Sequence, residues 1–200
     1  MQVFLVLPDI DRRSNYEYQS LKPKDNETAE KFADIHADFR LLTDEEMTFR
    51  TVNTALPKAN FPTFVFSVPL IADTRGLDSV LRCCSKNIEL YKVHTDLGDS
   101  YHLVNLLPLE DCVDEKKTTY PKFPDGRPMA VELYQFRKEK FSRYSLFRTS
   151  FYPAHLLVVV GGPGADPDFK SVVEEEGLTG LRFVEVWNDG GREILPHTMY

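Results

Sequence analysis

The chain writes one order of elements twice: an extended apolar run, a polar turn holding aspartates, a short amphipathic helix, a tight turn and an alternating strand. In the first copy, residues 61–71 are extended by composition. Asp73 or Thr74 then offers an acceptor for the orphan N–H groups that open a helix. Leu77, Val80, Leu81 and Cys84 recur at i, i+3, i+4 and i+7, which lays one apolar stripe along that helix. Residues 88–94 alternate as a half-buried strand, and residues 101–108 return beside it through Asp96-Leu97-Gly98-Asp99. In the second copy, residues 155–160 are so continuously apolar that burial of both faces is expected. Gly161-Gly162-Pro163-Gly164 turns the chain into Asp166-Pro167-Asp168, where either aspartate suits the cap and Pro167 the first helical position. Phe169, Val172 and Val173 form the stripe. Gly177 stands where a left-handed residue ends a helix, with Leu178 set to touch Val173. After Thr179-Gly180, residues 181–187 alternate as a closing strand.

These two strand–helix–strand units predict an α+β fold: a mixed β-sheet with short helices and long loops. Two copies are too few for a solenoid. Gln2 to Leu7 adds a first strand. The rest of residues 1–60 reads as a loop-rich N-terminal region, with a short helix over 28–36, ahead of a core over 61–200. At 200 residues the whole chain also suits a single domain. Between the units lie a charged segment over 110–117 and a loop over 120–128 punctuated by Pro121, Pro124, Gly126 and Pro128. Residues 137–148 mix five basic side chains with Phe141, Tyr144 and Phe147, three apart each time, and read as a basic amphipathic patch.

That patch sits on an acidic protein, with 24 Lys and Arg against 31 Asp and Glu and a net charge of -7. Such a balance repels phosphate backbones, so no nucleic-acid partner is expected and a basic protein fits better. No apolar run approaches the roughly 18 residues of a spanning helix, so no membrane partner is expected. The opening residues carry no Lys or Arg before their apolar stretch and no small-residue cleavage site, which predicts a first strand and a cytoplasmic protein. Cys83 and Cys84 are adjacent and Cys112 stands alone, which suits buried thiols better than a disulfide framework or a metal knuckle.

No constellation of residues specifies an enzyme. The glycine turn matches neither GxGxxG nor GxxxxGK[ST], and Asp166 and Asp168 put negative charge where a phosphate would lie. His36, His94, His102, His155 and His197 are scattered without metal-ligand spacing. There is no GxSxG nucleophile elbow. Cys83 or Cys84 as a nucleophile needs an exposed, electropositive setting, whereas Cys84 falls on the apolar stripe. No catalytic residue, cofactor or metal is therefore expected. Glu174-Glu175-Glu176 reads as solvated surface.

Two stretches carry a resemblance. Tyr101-His102-Leu103-Val104-Asn105-Leu106-Leu107, followed by Asp111-Cys112-Val113-Asp114-Glu115-Lys116-Lys117, is similar to a pattern of Y-x-hydrophobic-x-N-hydrophobic and then D-x-hydrophobic-D-x-x-x-S. Asp168-Phe169-Lys170-Ser171-Val172-Val173-Glu174-Glu175-Glu176-Gly177-Leu178-Thr179-Gly180-Leu181-Arg182-Phe183 resembles F-K-x-x-hydrophobic-E-x-x-G-L-T-G-hydrophobic-x-F. Both resemble the bacterial immunity-protein family of polymorphic toxin systems typified by Myxococcus members. The likeness runs over roughly residues 61–187, with Thr118 or Thr119 where a serine is usual, and does not extend to residues 9–60. It implies a non-catalytic cytoplasmic protein that binds and neutralises a co-encoded toxin. The motif itself reads as scaffold, with Gly177 and Gly180 for turns and Leu178 and Phe183 for packing.

Recognition of a toxin then falls to surface segments. The candidate partner-binding residues are the acidic Glu110, Asp111, Asp114 and Glu115, which suit a cationic partner, and the aromatics Tyr120, Phe123 and Trp187, a class enriched in interface hot spots. Two other readings stay open from the residues alone. One is a general interaction or scaffold domain using residues 137–148. The other is an enzyme using His94, His102 or a cysteine.

Overall fold

The computed structural model describes residues 1–10, 17–26, 29, 47–64, 70–84, 88–109, 112–141, 145–162 and 167–191. In chain order the elements are β1 (Gln2–Pro8), β2 (Ser20–Pro23), β3 (Met47–Val52), β4 (Thr63–Phe64), β5 (Leu70–Ala72), α1 (Thr74–Cys83), β6 (Ile88–Thr95), β7 (Ser100–Leu106), β8 (Pro108–Leu109), β9 (Leu146–Thr149), β10 (Leu156–Val160), α2 (Phe169–Glu175) and β11 (Leu181–Asn188). The helix expected over 28–36 falls, save Ala29, outside the described residues. The expected α+β fold with mixed sheet forms as two sheets, ordered β11-β1-β10-β9-β8 and β4-β2-β3-β6-β7-β5.

Each strand–helix–strand unit is split by a third strand. β10 and β11 are both antiparallel to β1, which lies between them. β5 and β6 are both antiparallel to β7, which lies between them in turn. The two strands of each unit thus run parallel, with a helix as their crossover. The extended run over 61–71 supplies two short strands, β4 and β5, with residues 65–69 outside the described set. β7 passes through Leu107 directly into β8, so one continuous stretch of chain belongs to both sheets.

Three apolar clusters follow from this layering. The first, with Leu70, Ala72, Val104, Leu106, Leu156 and Val158, is filled by Val80, Phe169, Val172 and Val173 of the helices. The second lies on the opposite face of the five-stranded sheet, where Val3, Leu5, Leu157 and Val159 meet Phe136, Phe141 and Trp187. The third, with Leu21, Phe49, Ile71, Val93 and Leu103, lies on the other face of the six-stranded sheet. β10 is therefore buried on both faces, as its unbroken apolar run implies.

The helix caps and stripes follow the sequence closely, with one difference in each. Asp73 caps α1 by accepting from the Gly76 N–H at 2.8 Å. Asp168 caps α2 by accepting from the Ser171 N–H at 2.9 Å, so Pro167 lies one residue before the cap and not at the first helical position. The end of α2 is a Schellman turn: the Leu178 N–H reaches the Val173 carbonyl at 2.9 Å and the Gly177 N–H the Glu174 carbonyl at 3.3 Å, with Gly177 at φ +60°. On α1 the buried stripe is Gly76, Leu77, Ser79, Val80 and Cys83, and Leu81 faces out. The stripe rotates because Gly76 has no side chain. A Cβ there would stand 3.0 Å from the Asn60 carbonyl oxygen and from the Phe61 ring.

Asn60 joins the two units. Its Nδ2 donates to Asp73 Oδ2 at 2.8 Å, and its Oδ1 accepts from the Thr179 N–H at 3.1 Å. Asp73 N–H donates to the Asn60 carbonyl at 2.8 Å, and Phe61 N–H to the Thr179 carbonyl at 3.0 Å. The turn that precedes β11 is thereby fastened to the start of α1. The helices also meet through the Arg82–Glu176 ion pair and through Arg75 Nη2, which donates to the Glu176 carbonyl.

Candidate partner-binding surface

The residues between β8 and β9 form an arm. Three isolated antiparallel bridges, Val113↔Phe136, Thr119↔Leu133 and Lys122↔Pro128, hold its two limbs together from base to tip. The limbs are too irregular for a regular strand, because Pro121, Pro124 and Pro128 lack the N–H that a ladder needs. At the tip, Gly126 takes φ +89°, the Phe123 N–H donates to the Arg127 carbonyl at 2.9 Å, and Met129 N–H donates to the Pro121 carbonyl at 2.8 Å. Arg127 Nε donates to Asp125 Oδ2 at 2.8 Å, and this guanidinium contact holds the Asp125 carboxyl below its usual range.

The base is rigid for a different reason. Cys112, Val113, Val131, Tyr134 and Phe136 are buried, and the Tyr134 and Phe136 rings stack at 5.0 Å. Thr118 is buried too, and its hydroxyl accepts from the Gln135 N–H at 3.1 Å. Its neighbour Thr119 is exposed instead. Tyr120 is braced edge-on against Phe151 at 4.9 Å, and the Tyr152 hydroxyl donates to the Met129 carbonyl at 3.1 Å.

Under the base lies a buried histidine. Tyr134 Oη and His155 Nδ1 are 2.8 Å apart, the Tyr152 ring closes on His155 at 4.6 Å, and His155 Nε2 has no partner among the described residues. Burial pushes His155 down to about 4 and lifts the Tyr134 phenol well above its ordinary value. A histidine kept neutral in the fold lets the unfolded chain bind a proton that the folded one refuses. Stability is therefore full above about pH 6.5 and falls as pH drops toward 4, by on the order of 3 kcal/mol in all. Urea midpoints followed across that window should show this loss in the native chain and a flatter line in His155→Gln. Equal slopes would mean that other groups carry the acid sensitivity.

The sequence-derived candidates separate clearly. Asp114 and Glu115 sit at the first turn of the arm, where Asp114 is partly buried and its carboxylate meets Lys117 Nζ at 3.4 Å while Glu115 is exposed. Tyr120 is half-buried. Phe123 is 41% exposed at the tip. Trp187 is a core residue, packed edge-on against Phe136 with its Nε1 donating to Gln135 Oε1, and it offers a partner little surface. Glu110 and Asp111 lie outside the described residues. Four of the seven candidates therefore share one arm. Met129, 47% exposed, and the cations Lys122 and Arg127 belong with them, and reading single residue classes passes over all three.

The other candidate chemistry is dispersed. His94 pairs with Ser100 and His102 with Lys92, so the two histidines are diagonal neighbours on β6 and β7. All three cysteines are buried, and burial lifts the Cys83 thiol to about 11, which keeps it protonated at neutral pH. The described residues of 137–148 do not form one amphipathic face: Phe141 and Phe147 lie in the core and Arg148 is buried, with a 3-10 turn at Lys138–Lys140 and β9 as the described elements, while Arg143 and Tyr144 lie outside the described residues. Among the described residues no three His, Cys, Asp or Glu side chains converge as a metal site, and no described helix is long and apolar enough to cross a membrane.

Fold and site together define an α+β protein of two mixed sheets that carries a braced, exposed arm. Neither protein-family models nor curated proteins give a match to the chain.

Proposed function

We propose that this chain is a non-catalytic immunity protein that binds and neutralises a co-encoded bacterial toxin in the cytoplasm, using no cofactor. The observation that carries the reading is the arm: a buried aromatic base holds an exposed tip bearing Phe123 and Met129. An ordered loop of this kind loses little conformational entropy on docking, which favours a binding role. The resemblance to toxin-system immunity proteins supplies the class of partner. The residues that carry it have scaffold duties that fit such a role. Asn105 bridges Glu89 and Arg148, Gly177 and Leu178 end α2, Thr179 joins the two units, and Phe169 and Phe183 pack on the helix layer. Binding is expected to cover about 1,600 Å² in total, the usual size for a specific complex.

Co-expression with the product of the neighbouring open reading frame tests the reading. Rescue of growth together with a stoichiometric complex is expected. A toxic neighbour that this chain neither rescues nor binds, or a harmless neighbour, would overturn it.

A further inference from the structure

The bridged limbs of the arm, from Val113 to Phe136, balance four cations against four carboxylates, and it is the outer part toward the tip that departs from the acidic character of the chain. From Lys116 to Met129 stand four cations, Lys116, Lys117, Lys122 and Arg127, against the single carboxylate Asp125, whereas the chain as a whole carries -7. The acidic character read from residues 110–115 does not extend to the tip. Exposed at that tip are Phe123 and Met129, brought close by the backbone bonds that close the turn.

We infer that the arm tip is the docking element and that it enters an apolar pocket rimmed by carboxylates on a protein partner. This deepens the immunity reading and rests on it. Phe123 and Met129 supply the desolvated anchors, and Lys116 and Lys122 supply the field that steers encounter with an acidic rim. A basic, aromatic loop also suggests nucleic acid, but bases stack on open ring faces. Here Arg127 lies over the Phe123 ring at 5.9 Å, and Lys122 lies over Tyr120 at 5.2 Å, whose ring already meets the edge of Phe151. One face of each ring already carries a cation, and the net charge of -7 on the chain opposes a polyanion.

The test uses the full chain and two double variants, Phe123→Ser with Met129→Ser and Lys116→Glu with Lys122→Glu. Each is first checked for a native melting curve. Binding to the purified product of the neighbouring open reading frame is then measured by calorimetry and stopped flow, alongside a 20-mer of deoxythymidylate as polyanion probe. The apolar double variant should bind that protein about a hundredfold more weakly, through faster dissociation. The charge double variant should associate about tenfold more slowly at low salt and lose the native salt dependence. Native-like affinity in both variants would overturn the docking assignment while leaving the immunity reading intact. Failure of the native chain to bind would remove both. Arm-dependent binding of the oligonucleotide, or a dimer of the chain that the apolar variant converts to monomer, would overturn the inference in favour of that occupant.

Discussion

Gly180→Ala should lower the melting temperature by about 10 °C or more, the largest effect expected of any single methyl group in this fold. Gly180 has φ +100°, and a Cβ there would stand 2.0 Å from the Phe61 carbonyl oxygen and 2.9 Å from the Ala59 Cβ. Both obstacles are backbone or core, so no flexible side chain can yield. The Gly180 carbonyl also accepts from the Asp9 N–H at 3.0 Å, which ties the end of β1 to the same point. Moving the 59–61 segment aside would break the bonds between Asn60, Asp73 and Thr179 that join the two units. Backbone strain alone costs about 1–3 kcal/mol, and the forced displacement brings the expected loss to about 4 kcal/mol or more. Gly177→Ala is the matched control. Gly177 also has positive φ, but nothing lies within 4 Å of its added Cβ, so only about 1 kcal/mol is expected. Equal losses in the two variants would mean that the junction at Asn60 and Phe61 is not where the fold is tight.

Arg148→Ala is the second large effect, expected to cost about 3–5 kcal/mol in urea unfolding. Arg148 points inward from β9 and is 2% exposed, the largest fully buried side chain described. Its Nε donates to the Pro153 carbonyl at 2.8 Å and its Nη1 to Asn105 Oδ1 at 3.1 Å. Asn105 Nδ2 then donates to Glu89 Oε2 at 3.1 Å, which also accepts from the Tyr91 hydroxyl at 2.9 Å. This chain of bonds runs from the five-stranded sheet into β7 and β6 of the six-stranded one, beside the point where β7 becomes β8. Burial brings the guanidinium down to about 10, so it remains a cation at neutral pH. Alanine would leave a void and take a donor away from the buried Asn105 Oδ1 and from the partly buried Pro153 carbonyl. Arg148→Met keeps most of the volume and removes a desolvated charge, so its cost should be smaller, about 1–2 kcal/mol. A neutral Arg148→Ala would show that the sheets are held together by apolar packing alone.

Local order was legible in the sequence wherever one segment determines it. The aspartate caps, the Gly177 ending, the β6–β7 hairpin and the two-faced burial of β10 all follow from spacing within a dozen residues. What the sequence hides is set by partners far along the chain. Nothing in residues 156–188 announces that β1 inserts between β10 and β11, and nothing near β5 and β6 announces β7 between them. Gly76 rotates the stripe of α1 only because Asn60 and Phe61 press against it. Arg148 reads as part of an exposed basic stretch until its bond to Asn105, 43 positions away, places it in the core. The candidate surface divides in the same way. Proline and glycine mark residues 120–128 as loop, but the three bridges that make an arm have no periodic signature. The aromatics could not be sorted without burial, which keeps Phe123 at the surface and draws Trp187 inside.

Amide hydrogen exchange of the chain, alone and with the purified product of the neighbouring open reading frame, tests most directly that a rigid scaffold presents one docking arm. New protection should centre on residues 119–130, with the strands and helices exchanging as they do in the free protein. Protection gathered instead on the helix layer or along β11, with the arm exchanging freely, would contradict the account.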